Sequence, residues 1–190
     1  MQKELTANRL SGMATGVMFA TGFGSGWLFW SLIARQKIAA GTATGVGMGT
    51  LVLLAAAAYV MRQAKRWPRV ADVPGTGRAF AWINAIQWSA VAVVVFGSAR
   101  MHWDAYVPSA ITAIVGLHFY PLARLFRSPM HYVTGTVLVA WAVVSALIVP
   151  ADQLQGAAAL GTGAILWASA AVVLGRAMLA MRVGAVVVSG

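Results

Sequence analysis

AFAWINAIQWSAVAVVVFGSA, residues 79–99, runs from Arg78 to Arg100 without one charged side chain between them. About 20 predominantly apolar residues are enough for a helix to cross the hydrocarbon core of a bilayer. The apolar positions are continuous rather than alternating, which suits a membrane helix and not a barrel strand. Five further stretches read the same way: Leu10 to Ala34, Ile38 to Met61, Ala105 to Leu122, Tyr132 to Val149 and Gly156 to Met181. The expected fold is all-α, one polytopic domain over residues 1–190 with six transmembrane helices.

Composition leads to the same solvent. The chain is 60% hydrophobic and 9% charged, with a mean hydropathy of +0.77. A soluble domain carries roughly 45–50% apolar and about 25% charged residues. Too few polar side chains remain to coat a globule in water. The first apolar stretch follows MQKELTANRL without a cleavage-like site after a short core, so it reads as a retained span rather than a signal peptide. Cysteine is absent, which excludes disulfides and thiolate metal sites.

The net charge of +10 has a topological explanation and does not call for nucleic acid. Threading six spans puts eleven basic residues on one side: Lys3, Arg9, Arg62, Lys65, Arg66, Arg69, Arg78, Arg124, Arg127, Arg176 and Arg182. Three fall on the other: Arg35, Lys37 and Arg100. Cytoplasmic loops are enriched in Lys and Arg, so both termini are expected inside the cell, with the protein in the inner membrane of a bacterium. The loop Arg62–Arg78 is expected to lie against anionic headgroups.

Lipid tails are as apolar as leucine, so spans must associate through close backbone approach and interhelical hydrogen bonds. Gly41, Gly45 and Gly49 recur four apart and predict a ridge that packs on span 1. Gly12 and Gly16, and Gly22 and Gly26, repeat the spacing in span 1, whereas the glycines of span 6 do not. Internal packing is the favoured use of these glycines, and homodimerisation the other. Trp88, Trp141 and Trp167 lie deep enough to serve packing.

Polar side chains inside a span are costly and are the first place to look for function. Asn84 and Gln87 sit about one turn apart, and His118 lies six residues before Arg124. At 1.5 Å per residue all three fall roughly 7–12 Å from the basic boundary. Tyr132 and Thr134 begin span 5 on the same side. Pro121 has no N–H to give the Leu117 carbonyl, so it is expected to kink the helix, with Asn84 or Gln87 as candidate donors to the freed oxygen.

Asn84, Gln87, His118, Tyr132 and Thr134 are therefore the candidate lining of a ligand site or solute pathway. His118 would be the proton carrier or polar ligand, since an imidazole with a pKa of about 6.5 changes charge near neutrality. The leading function is a small-solute transporter or channel-like protein. The alternative is a structural or regulatory subunit in which the cluster only packs helices.

The residues call for no cofactor and no metal: Glu4, Asp72, Asp104 and Asp152 all fall in tails or loops, and His118 and His131 are expected at different depths. With no acid inside the membrane to orient His118, no catalytic triad assembles, and the chain is not expected to be an enzyme.

The block GLHFYPLARLF (residues 116–126), with YVTGT (132–136) and Trp141, resembles a pattern found in small bacterial multi-pass membrane proteins. That resemblance covers spans 4 and 5. It implies a helical membrane protein and brings no activity with it.

Overall fold

The computed structural model describes residues 6–36, 40–71, 73–101 and 103–188. Lys3, Glu4, Lys37, Ile38, Asp72 and His102 lie outside the described residues. Six α-helices cover most of the rest: α1 Ala7–Ala34, α2 Ala40–Ala64, α3 Thr76–Met101, α4 Val107–Leu125, α5 Pro129–Ile148 and α6 Ala151–Val188. All six, with a short 3-10 turn (Asp104–Tyr106) leading into α4, are long and apolar enough to cross a membrane.

Local chemistry sets the helix ends. The Thr6 hydroxyl accepts from the Arg9 N–H and caps α1. Pro108 and Pro129 stand in the first turns of α4 and α5, where a missing N–H costs nothing. At the end of α4, Arg127 takes a left-handed conformation (φ 48°) while the Ser128 N–H reaches back to the Ala123 carbonyl. This is a Schellman-type stop, and Pro129 follows it.

α6 is the hub. It packs along α1 and also touches α2, α4 and α5. α4 and α5 form a second tight pair, α2 leans on α1, and α3 packs mainly on α4. One core cluster joins α1, α2 and α6 through Leu10, Val17, Ala57, Val60, Ala170 and Leu174. Another gathers Trp27, Leu138, Ala159 and Leu166 from α1, α5 and α6, with Ile111 and Val115 of α4 against it. The Ala7 N–H donates to the Pro68 carbonyl, and the Val70 N–H to Asn8 Oδ1, so the α2–α3 loop is tied to the start of α1. That end, which also holds the α4–α5 turn, is called the basic end below.

The glycine ridge is not used as expected. A Cβ on Gly41 or Gly45 would meet nothing within 4 Å, nor would one on Gly12, Gly16, Gly22 or Gly26. Gly49 does make a close approach, but to the Trp167 ring of α6 rather than to α1. The tight seam of α1 runs instead through Gly24, which faces Gly163 of α6. In α6 three of the irregularly spaced glycines are in contact and Gly175 is not: Gly156 takes the Arg35 side chain, Gly161 the Trp141 ring and Gly163 Leu28. Spacing finds a face of small residues; it does not say which face meets a neighbour.

Pro121 lies inside α4, which remains helical from Val107 to Leu125, and its ring is exposed. Trp141 and Trp167 pack between helices as expected, but Trp88 is 53% exposed, with the Phe23 ring 6.3 Å away.

Candidate functional site

α3 turns Ile83, Asn84 and Gln87 away from its most exposed face, and all three are half-buried. Asn84 does not serve the Leu117 carbonyl: its Nδ2 donates to the Phe80 carbonyl of its own helix at 2.8 Å. Such a bond, one turn back, is the local alternative open to a polar side chain in a helix. His118 of α4 comes against the backbone carbonyl of Ile83, immediately before Asn84. Its Nδ1 is buried and has no hydrogen-bond partner among the described residues.

The rings around His118 form a chain. Phe119 is 6.2 Å away, edge-on, and His131 of α5 is 5.6 Å beyond Phe119. Phe126 stands 6.2 Å from His131 and 5.9 Å from Phe80 of α3. His131 Nδ1 is paired with Ser128 Oγ at 2.9 Å. The two histidines are thus linked through one aromatic ring across the α4–α5 seam.

Tyr132 and Thr134 belong elsewhere. Two residues apart on a helix means about 200° of rotation, so they leave α5 in nearly opposite directions. Tyr132 is 38% exposed, its ring 5.9 Å from Tyr120, whose hydroxyl pairs with Thr136 at 2.9 Å. Thr134 is buried against α6, where its hydroxyl meets Ser169 at 2.9 Å. The five candidate residues divide among the α3–α4, α4–α5 and α5–α6 seams.

Sequence reasoning passed over a set of hydroxyls that the fold pairs between helices. Thr112 of α4 meets Thr162 of α6 at 2.7 Å, and Ser109 meets Ser145 of α5 at 3.2 Å. Ser25 of α1 meets Thr50 of α2 at 2.7 Å and accepts from Trp167 Nε1 of α6 at 3.2 Å. Trp141 Nε1 donates to the Ala158 carbonyl at 3.1 Å. Most of these hydroxyls also donate to, or lie within reach of, a carbonyl of their own helix, as Thr112 does to Pro108 and Thr162 to Ala158. The signal available was Thr162 between two glycines in GTG: a polar group where two backbones come close.

Two shallow, open concavities lie apart from the polar cluster. One lies on α3 beside Arg78 and Trp82; the other lies between α4 and α5 near Tyr106 and Val143. Among the described residues no three His, Asp or Glu side chains come together in a metal-binding group. Comparison of the chain with protein-family models, with curated proteins and with solved structures finds no match.

Proposed function

We propose that the chain is a bacterial inner-membrane protein with both termini in the cytoplasm, serving as a non-transporting structural or regulatory subunit rather than as an enzyme. The observation that carries this is the division of the candidate lining among three seams, with Thr134 engaged by Ser169. Hydroxyls placed for solute handling would converge on one space. Here they join helix to helix at α1–α2, α4–α5, α4–α6 and α5–α6. Orientation rests on the charge bias, since the basic end collects most of the Lys and Arg.

The competing reading is a small-solute transporter or channel-like protein. It is favoured by one observation, the buried and unpaired Nδ1 of His118.

Because the chain contains no cysteine, single-cysteine labelling with a membrane-impermeant maleimide separates the two. Gln87→Cys, His118→Cys and Thr134→Cys are expected to stay unlabelled from either side of sealed vesicles. Arg69→Cys is expected to label only from the cytoplasmic side. Labelling of these three positions from that side would establish a water path and the transport reading. Labelling of Arg69→Cys from outside would reverse the orientation.

A further inference from the structure

A shallow, open concavity lies on the exposed face of α3. Its described lining is Arg78, Ala81, Trp82 and Ala85. These positions recur at three and four residues, so they stack on one face of the helix. That face points away from the Ile83–Gln87 side and into the surroundings: Trp82 is 62% exposed, Arg78 and both alanines are exposed, and Ile86 beside them is 67% exposed. Farther along α3 the exposed side chains are bulky, with Val93 at 73% and Phe96 at 75%. The two small residues therefore leave a shallow hollow between the larger Trp82 and Arg78 side chains that line it.

We infer that this hollow is a binding site for an anionic phospholipid, with the phosphate on Arg78 and an acyl chain over Ala81 and Ala85 along the Trp82 ring. The inference rests on the membrane reading of the fold and not on the choice between subunit and transporter. A guanidinium offers a planar fork of donors that suits phosphate oxygens. Tryptophan at a membrane boundary lays its ring in the apolar layer and keeps its N–H toward the headgroups. From Arg78 to Ala85 the helix rises about 10 Å, most of the depth of one leaflet of a hydrocarbon core about 30 Å thick. The walls below Arg78 are apolar, which suits a lipid and leaves a free phosphate with one partner only. Complementary charge is at hand, since Arg62 in the last turn of α2 and Lys65, Arg66 and Arg69 in the loop after it precede α3.

The test uses the full-length protein in phosphatidylcholine nanodiscs to which phosphatidylglycerol is added stepwise. Bound lipid is counted by native mass spectrometry, and the melting temperature is followed in parallel. Wild type is expected to retain phosphatidylglycerol and to melt higher as it is added. Arg78→Ala should weaken that response well beyond the roughly fivefold that any one basic side chain contributes at an anionic surface, because the charge-assisted bonds to the phosphate are lost with it. Ala85→Trp, which fills the hollow and keeps the charge, should weaken it as well. Arg124→Ala, a basic residue of α4 outside the hollow, should weaken it by no more than that general roughly fivefold contribution.

Equal lipid retention by wild type, Arg78→Ala and Ala85→Trp would overturn the site. So would an equal loss in Arg124→Ala, which would mean general surface attraction. An equal rise in melting temperature with inorganic phosphate alone would also overturn it, because an ion without a chain would then suffice.

Discussion

Gly24 of α1 and Gly163 of α6 meet backbone to backbone. A Cβ added to Gly163 would stand 2.8 Å from the Gly24 carbonyl oxygen, and one added to Gly24 would stand 3.2 Å from that of Gly163. Neither oxygen belongs to a side chain that can swing aside. Gly163→Ala should therefore destabilise the protein by about 1–3 kcal/mol, the usual cost of overpacking. Gly45→Ala, on the open face of α2, should be neutral or stabilising by about 0.5–1 kcal/mol through helix propensity. Unfolding in mixed micelles compares the two, and the reverse order would mean that α2, not α1, carries the tight seam.

Thr112 and Thr162 form the shortest interhelical side-chain pair between α4 and α6. A double-mutant cycle with Thr112→Val and Thr162→Val should give a coupling near 0.6 kcal/mol and below about 2 kcal/mol, the range measured for hydrogen bonds between membrane helices. Zero coupling would show that each hydroxyl is content with its own helix carbonyl.

Trp167 is where three helices meet. Its ring lies against Gly24 and Gly49, and its Nε1 donates to Ser25. Trp167→Ala should cost about 3–5 kcal/mol. It should also loosen α2 selectively, seen as faster amide exchange there than in α5. Trp167→Phe keeps most of the ring and should fall between the two. Uniform exchange across all six helices in Trp167→Ala would deny the ring its place at this junction.

Pro121 is exposed, and no described side chain donates to the Leu117 carbonyl. Pro121→Ala supplies the missing N–H and should raise stability, by at most the roughly 3 kcal/mol that a helix-interior proline costs. A fall in melting temperature would instead mean that the φ fixed by Pro121 is needed to seat α4 between α3 and α5.

The number of spans and their approximate limits were legible before any coordinates, because hydrophobic length is a one-dimensional property. Residues 79–99 alone show it: a charge-free run between two arginines becomes α3, extended by a few residues at each end. The distance along the chain from Asn84, Gln87 and His118 to the nearest charged boundary was legible in the same way. The direction of each side chain around its helix was not. In water that direction follows from an amphipathic pattern, but a helix bathed in lipid is apolar all round and carries little such signal.

What this amino-acid order determined by itself is a membrane solvent, six helices and a lopsided distribution of charge, because each follows from composition read along the chain. The tertiary structure decided the partners: that Gly24 rather than Gly41 or Gly45 makes the close approach, that α6 is the hub, and that Thr134 turns to Ser169 while His118 turns to Ile83. Those choices rest on small differences in packing and hydrogen bonding between helices that lipid solvates almost equally on every side. Only the assembled neighbours supply those differences.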